Sequence, residues 1–273
     1  KQNQENLVKP ICVLRNKFLF GVVADALGVN TPSLVGIIHG NNFFVFAGHK
    51  TILWNDFLSQ GEFDVFVKDS NGECGEGIFA LQRRKGVLYV NKKETTIEEI
   101  NSRINPCLSF IVQERISQHP ALNKIYDKSI NTIRLETVIN PKTKEIEILP
   151  PLLRVGTSGH NVDNWAMGGL AIGIDEKGCL KKYGFYKPSF GTKTTQHPDT
   201  EVVFENYSIP FFAEAVDMAR RFHSELHEIH SIGWDIAITD AGPCFIEGND
   251  NWEISLVQIC SKGLQREFEE LFF

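Results

Sequence analysis

Three oxygen-bearing side chains lie in two short apolar segments near the end of the chain. Asp235 lies in GWDIAIT, and Glu247 and Asn249 lie in FIEGN, with a turn signal between the segments. In an antiparallel hairpin Asp235 would approach Glu247, and residues 247 and 249 would share one face. Two carboxylates and an amide oxygen are ligands that Mg²⁺ takes together with phosphate oxygens. A carboxylate in an apolar strand needs a partner, so metal binding is favoured over the alternative that these residues only shape turns.

A second group of residues has the chemistry of a phosphate site. Lys68 ends a strand-like run and opens into the glycine-rich loop DSNGECGEG at residues 69–77. Glycines let backbone N–H groups turn toward an anion, and the lysine adds a positive charge. The loop is not a Walker A loop, because no GK[ST] opens a helix after it. A flexible hairpin with an exposed lysine is the alternative for this segment taken alone.

Two arginines lie inside predicted strands, Arg134 in NTIRLETV and Arg154 in PPLLRVG, and Asn164 follows in HNVDNWAMGG. Arginines are rarely buried without an anion, and the guanidinium group fits phosphate or carboxylate oxygens. The simpler alternative pairs the arginines with Glu136 or Asp163 as structural ion pairs.

The histidines indicate less. His223 and His227 are four positions apart on a predicted helix, but no H-E-x-x-H motif or third ligand accompanies them. A solvated helix face is therefore predicted for this pair.

The composition excludes several classes of protein. The chain has 273 residues, 42% of them hydrophobic and 23% charged, with a net charge of −6, which is ordinary for a globular protein. No long basic run indicates a nucleic-acid partner, and no run of roughly 18 apolar residues indicates a membrane span. The six cysteines are scattered without a C-x-x-C pair, which favours reduced thiols and a cytoplasmic location.

The elements that must position these residues alternate irregularly, so an α+β fold is predicted rather than a doubly wound sheet. Helices are predicted over 16–28, 96–104, 210–230 and 253–272. Strands are predicted over 34–38, 43–46, 63–68, 78–82, 87–90, 110–116, 131–140, 145–156, 170–175, 234–239 and 243–249. We expect an N-terminal part, 1–115, with a small lobe and the glycine-rich loop, and a larger lobe, 116–273, with the metal and phosphate residues.

In their order along the chain, these motifs resemble the ATP-grasp superfamily, most closely its sugar-transfer associated branch. The resemblance runs from about Arg15 to about Glu253 and is carried by NKFLFGVVADALGVNTP, VFVKDSNGECGEGI, FIVQERISQHPAL, SINTIRLETV, LLRVGTSGHNVDNWAMGGLAIGID and IGWDIAITDAGPCFIEGN. Each motif is modest, but six in the family's order are specific. The resemblance implies an ATP-grasp fold, in which two α/β lobes with mainly antiparallel sheets enclose the nucleotide. It also implies a carboxylate–amine ligase that acts through an acyl phosphate, in glycan or polysaccharide biosynthesis.

The same resemblance assigns roles to residues that bind the nucleotide. Lys17 and Lys68 would contact the phosphates of ATP, and the loop from Ser70 to Gly77, with Gly72 and Gly75, would close over them. Gln113 would face the adenine amino group, and the backbone from Glu114 to Ile116 would form the hinge.

A further set of roles concerns the reaction itself. Arg134 and Arg154 would stabilise the transferred phosphoryl group, and Asn164 would face the substrate or phosphate. One or two Mg²⁺ ions, with Mn²⁺ as an alternative, would be held by Asp235, Glu247 and Asn249.

Two features depart from the family pattern. Many of these ligases have an arginine two residues before the first metal aspartate, whereas this chain has Gly233, so Arg134 and Arg154 would take over its role. The family also commonly carries a lobe before the ATP-binding region, where only about fifteen residues stand here. The site for the small-molecule acid and amine is therefore expected to be built differently, or completed by a homodimer or a partner chain.

Two other functions fit the same residues. One is a phosphotransferase acting on a hydroxyl group. The other is a nucleotide-binding module without turnover, serving a glycan-assembly complex.

Overall fold

The computed structural model describes residues 10–72, 77–158, 163, 165, 168–187, 189 and 192–272. These residues form two compact units. The small unit comprises Arg15–Val23 and Thr31–Ile116, and the described residues of the large unit fall within Lys1–Leu14, Ala24–Asn30 and Ser117–Phe273.

The described residues form eight helices and sixteen strands. The helices are α1 (Cys12–Arg15), α2 (Lys17–Ala26), α3 (Trp54–Ser59), α4 (Ile97–Asn101), α5 (Pro120–Ile125), α6 (Phe212–Glu225), α7 (Ile254–Cys260) and α8 (Gln265–Phe272). The strands are β1 (Leu34–His39), β2 (Asn42–Val45), β3 (Lys50–Leu53), β4 (Phe63–Asp69), β5 (Phe79–Arg84), β6 (Val87–Val90), β7 (Lys93–Thr95), β8 (Ser109–Glu114), β9 (Thr132–Ile139), β10 (Ile146–Ile148), β11 (Leu152–Val155), β12 (Leu170–Ile174), β13 (Leu180–Tyr186), β14 (Lys193–Thr194), β15 (Ser231–Thr239) and β16 (Gly242–Asn249).

The small unit is built on an antiparallel sheet with the strand order β3-β2-β1-β8-β4-β5-β6-β7. Val65 and Val67 of β4 belong to its hydrophobic core. Because side chains alternate along a strand, Phe66 and Lys68 project to the opposite face. Phe66 lies opposite Gln113 of β8, so Lys68 and Gln113 share that face.

The large unit contains a second antiparallel sheet, with the order β14-β13-β12-β11-β9-β15-β16 and with β10 also paired to β9. Helix α6 packs on one face, where the Phe222 ring stacks on Trp234 with centroids 4.8 Å apart. Helices α7 and α8 form a core with Val138 and Trp252. Val138 lies an even number of residues from Arg134 on β9, so this core lies on the face from which Arg134 projects.

The predicted α+β fold with antiparallel sheets is confirmed. Two predicted elements were wrong in extent. The strand over 145–156 is two strands, β10 and β11, because Pro150 and Pro151 lack the N–H that a continuous ladder needs. The helix over 253–272 is also two, α7 and α8.

Two further features of the described residues concern membrane spans and cysteines. None of the helices in the described ranges has the length and apolar character needed to cross a bilayer. Among the cysteines that the structure describes, none is joined in a disulfide.

Candidate functional site

The register of three neighbouring strands brings the predicted metal and phosphoryl residues of the large unit together. Asp235 of β15 lies opposite Arg134 of β9 on one side and opposite Glu247 of β16 on the other. Directly opposed residues of antiparallel strands project to the same face, so these three side chains converge. The β15–β16 pairing shifts register between Asp235 and Ile236, and such an irregularity changes the direction of the strand beside the aspartate.

Arg134 and Asp235 form a buried ion pair. The Arg134 Nε atom lies 2.9 Å from Asp235 Oδ1, and Nη2 lies 3.4 Å from Oδ2. The Nε–H bond does not point at Oδ1, so the shorter contact is an ion pair without hydrogen-bond geometry. Two contacts of one guanidinium group fix its position along the strand pair.

Arg154 of β11, the strand beyond β9, pairs with the same aspartate. Its Nη2 atom lies 2.9 Å from Asp235 Oδ2, and its Nε atom lies 3.5 Å from Asp163 Oδ2. Arg154 Nη2 also donates to Thr132 Oγ1 at 2.8 Å, and the Thr132 hydroxyl donates to Asp163. Arg154 is therefore held by a network of two carboxylates and a hydroxyl group.

Charge and burial set the protonation states of this cluster. Burial opposes ionisation of Asp235, but Arg134 and Arg154 outweigh it, so the pKa of Asp235 lies below its ordinary value. Burial raises the pKa of Asp163, which Arg154 only partly offsets. Burial lowers the pKa of Arg154, but Asp163, Asp235 and Glu247 together raise it above its ordinary value. A hydrogen bond with the Glu247 carboxyl group, directly opposite on β16, further lowers the pKa of Asp235.

Glu136 is a further member of the cluster, which the sequence had suggested only as an ion-pair partner. It lies two residues after Arg134 on β9, is 1% exposed, and neither carboxylate oxygen has a hydrogen-bond partner in the described part of the chain. Burial raises the pKa of Glu136 to about 7, with Arg134 opposing and Asp235 adding to the shift. The sequence signal is the alternation in NTIRLETV, which places residues 134 and 136 on one face.

Gly233 has no room for a side chain. A Cβ atom there would lie 2.7 Å from the Cβ of Trp252 and 3.0 Å from Arg134 Nη1. The guanidinium group of Arg134 thus lies over the position where the family pattern led us to expect an arginine side chain.

The donor set suits a hard cation. Asn249 donates its Nδ2 hydrogen to Gly233 O at 3.2 Å, which leaves the amide oxygen as the atom able to serve as a ligand. Across the described ranges, no three His, Cys, Asp or Glu side chains are grouped so as to hold a metal ion. The predicted ligand set contains only two carboxylates, those of Asp235 and Glu247. Its third ligand is the amide of Asn249, so the set is not a group of three such side chains. Oxygen ligands of this kind fit Mg²⁺ that also binds phosphate oxygens.

In the small unit, backbone and side-chain bonds join α2 to the start of the glycine-rich loop. Lys17 N donates to Ser70 O at 2.8 Å, and Lys17 Nζ donates to Gly72 O. Ser70 is buried, and its hydroxyl has no hydrogen-bond partner within the described ranges. Gly77 has a φ of +69°, a left-handed conformation that favours glycine.

The other residues predicted to bind the nucleotide lie on β4 and β8 or, in the case of Ile116, two residues after β8. Lys68 Nζ lies 5.8 Å from the centroid of the Phe66 ring. Gln113 is buried and donates from Nε2 to Pro32 O at 3.3 Å. Glu114 N donates to Ser33 O at 2.9 Å, and Ile116 is the last residue of the small unit. The predicted site residues Gly75 and Asn164 lie outside the described residues.

The solvated face predicted for His223 was wrong. The ring is fully buried, with Nδ1 2.7 Å from Thr137 Oγ1 and Nε2 2.7 Å from Ile229 O. Burial lowers the pKa of His223 to about 4, so it is a neutral core residue.

Comparison with known families gives one match over nearly the whole chain. The model of the family described as sugar-transfer associated ATP-grasp matches residues 2–271. No curated protein matches the chain.

Solved structures share the fold at low sequence identity. D-alanine–D-alanine ligase from Helicobacter pylori has 14% identity and a TM-score of 0.52, over 95% of this chain and 60% of that chain. VanG D-Ala:D-Ser ligase from Enterococcus faecalis has 11% identity and a TM-score of 0.51, over 97% and 63%. L-amino acid ligase from Bacillus licheniformis has 13% identity and a TM-score of 0.50, over 92% and 46%. The chain therefore spans less than two thirds of the length of these ligases, and the likeness is one of fold.

Proposed function

Because the chain belongs to the sugar-transfer associated ATP-grasp family, we propose that it is an ATP-dependent carboxylate–amine ligase acting through an acyl phosphate. The observation that carries the proposal is the pair of buried guanidinium groups on Asp235, with Glu247 directly opposite on the adjoining strand. Catalysis of phosphoryl transfer depends mainly on positioned charge of this kind.

Metal ligation is assigned to Asp235, Glu247 and Asn249, which would hold one or two Mg²⁺ ions, or Mn²⁺ in their place. The fit rests on two carboxyl groups that are directly opposed on neighbouring strands and on an amide whose nitrogen is already hydrogen-bonded. When bound, the metal would supply positive charge to the phosphate oxygens of ATP.

Nucleotide binding is assigned to residues of the small unit. Lys17 and Lys68 bind the phosphates as cations, and the buried hydroxyl of Ser70 lies on the same loop as the backbone N–H groups of Gly72 and Gly77. Gln113 recognises the adenine amino group, and the backbone from Glu114 to Ile116 forms the hinge. Gly75 belongs to the same proposed loop.

The proposed reaction has two steps. A carboxylate oxygen of the acid substrate bonds to the γ-phosphorus of ATP while the bond to the bridging oxygen breaks, which gives an acyl phosphate and ADP. Arg134 and Arg154 stabilise the negative charge on the transferring group, and Asn164 faces the substrate. An amine then attacks the acyl carbon, phosphate leaves, and the amine loses its proton to form the amide.

The comparisons support a choice of substrate class. The ligases of similar fold have amino acids in their names, and the family description refers to sugar transfer. We propose an amino acid or a sugar acid as the acid substrate, joined to an amine in glycan or polysaccharide biosynthesis. The proposed location is the cytoplasm, where ATP is available and thiols stay reduced.

The test is ADP release from Mg²⁺ and ATP, screened with pairs of acids and amines, with hydroxylamine as a general amine that traps acyl phosphates as hydroxamates. A ligase gives ADP, free phosphate and hydroxamate only when the acid is present, and Asp235→Asn abolishes all three. A stable phosphorylated product without free phosphate would instead establish the phosphotransferase. Nucleotide binding without ADP release across amino-acid and sugar-acid panels would favour the non-catalytic module.

A further inference from the structure

Glu136 is buried without the partners that a buried carboxylate needs. Its side chain is 1% exposed, and both oxygens lack a hydrogen-bond partner in the described part of the chain. A buried acid left unsatisfied costs stability whether it is ionised or neutral, so its presence calls for an explanation. None of the roles assigned above to the cluster uses it.

The guanidinium group of Arg134 extends from the position of Asp235 toward that of Glu136. Its Nε atom lies 2.9 Å from Asp235 Oδ1, and its Nη1 atom lies 3.0 Å from where a Cβ of Gly233 would stand. Gly233 is the residue directly opposite Glu136 across β9 and β15. Arg134 and Glu136 also project to the same face of β9, because they are two residues apart.

Once Asp235 coordinates a metal ion, its carboxylate cannot keep full contacts with both Arg134 and Arg154. Arg134 contacts both of its carboxylate oxygens, and Arg154 contacts Oδ2. A cation at Asp235 draws on the same lone pairs and repels the guanidinium groups. Arg154 keeps its contacts with Asp163 and Thr132, whereas Arg134 has no other carboxylate ion pair among the described residues. A buried guanidinium group displaced without a new partner would oppose metal binding.

We propose that Glu136 is a positioning residue that takes the Arg134 guanidinium group when Asp235 coordinates Mg²⁺. The exchange rests on the metal site of the proposed function. Glu136 would then pair with one edge of the Arg134 guanidinium group. The other N–H groups of Arg134 would become available to the phosphoryl group. The exchange also gives a role to a buried carboxylate that has no hydrogen-bond partner in the described part of the chain and lies two residues from Arg134.

A simple charge effect makes a different prediction. Removing any nearby carboxylate weakens cation binding, so Glu136→Gln alone does not distinguish the exchange of Arg134 from a charge effect. The exchange acts through Arg134, and therefore disappears when Arg134 is replaced. A pure charge effect persists, or grows, in the absence of the arginine. A double-mutant cycle separates the two.

The probe is Mn²⁺ titrated into the nucleotide-free chain, with free ion followed by electron paramagnetic resonance. The cycle comprises the wild type, Glu136→Gln, Arg134→Met and the double variant. We expect Glu136→Gln to weaken Mn²⁺ binding about tenfold in the wild-type background and less than about threefold in the Arg134→Met background. Equal factors in the two backgrounds, or a larger factor in the second, would overturn the exchange. Arg134→Gln replaces Arg134→Met if the latter does not fold.

Two controls complete the experiment. Glu136→Asp keeps the carboxylate and should recover part of the wild-type affinity, which a merely space-filling role of Glu136 would not require. Glu247→Gln should abolish Mn²⁺ binding. If it does not, the metal site of the proposed function fails; if it does and the cycle shows independent effects, only the role of Glu136 fails.

Discussion

Asp235 and Glu247 lie directly opposite each other in the β15–β16 hairpin, so their carboxyl groups project to the same face of the sheet. Two carboxyl groups held this close repel each other when both are ionised, and a divalent cation relieves that repulsion. The same aspartate pairs with Arg134 and Arg154, so the proposed metal ion would share this side chain with two guanidinium groups.

Lys68→Ala should weaken nucleotide affinity by about one to two decades, because a charge-assisted contact to phosphate contributes about 1.5–3 kcal/mol. Isothermal titration calorimetry with ADP and Mg²⁺ measures the change. Lys93→Ala, an exposed lysine on β7 of the same sheet, is the matched control and should bind normally. Unchanged affinity of Lys68→Ala would remove Lys68 from the site.

Gly233→Ala should destabilise the large unit, because the new Cβ would lie 2.7 Å from the Cβ of Trp252 and 3.0 Å from Arg134 Nη1. Overpacking of this kind costs about 1–3 kcal/mol, or about 2–4 °C in melting temperature per kcal/mol for a chain of this size. Gly263→Ala is the control, since a Cβ there meets nothing within 4 Å. If Gly233→Ala and the wild type have the same melting temperature, Trp252 does not pack this closely against Gly233.

Protonation of His223 should destabilise the chain in acid. Its folded pKa of about 4 lies below the ordinary value of 6.5, so the unfolded chain binds the proton more readily. This contribution is present above pH 6.5 and is lost as the pH falls toward 4. Between pH 7 and pH 4 it amounts to about 3 kcal/mol in the free energy of unfolding.

Urea denaturation at the two pH values measures this loss. The difference between pH 7 and pH 4 should be about 3 kcal/mol smaller in His223→Gln than in the wild type. His227→Gln, at an exposed position just beyond α6, should behave as the wild type. Equal losses in the wild type and His223→Gln would show that another group causes the acid sensitivity.

The sequence predicted the hairpin of the site because its signals are local. Apolar runs flank Asp240–Ala241–Gly242, and the structure turns there, with Gly242, the first residue of β16, at a φ of +108°. Side-chain alternation then places Glu247 and Asn249 on one face without any knowledge of the rest of the fold. Local chemistry of this kind can be read from one sequence.

The partners of the arginines could not be predicted in the same way. Arg134 pairs with Asp235, 101 residues away, rather than with Glu136 two residues along its own strand. That choice depends on the order of β9 and β15 in the sheet, which no local pattern encodes. His223 shows the same limit, because its burial depends on Thr137 and on the Ile229 carbonyl oxygen, which together satisfy both ring nitrogens.

The most direct test of the metal site is the melting temperature of Glu247→Gln, measured in EDTA and again with ADP and Mg²⁺. Ligand binding to the folded chain raises the melting temperature, by an amount that grows with the logarithm of the ligand concentration divided by its Kd. We expect Glu247→Gln to melt at or slightly above the wild-type temperature in EDTA, and to lose the rise in melting temperature that Mg²⁺ and ADP give the wild type. If Glu247 instead neutralises a buried arginine, the substitution strands that cation, at a cost of about 3–5 kcal/mol. A marked drop in EDTA with the Mg²⁺–ADP rise retained would contradict the assignment.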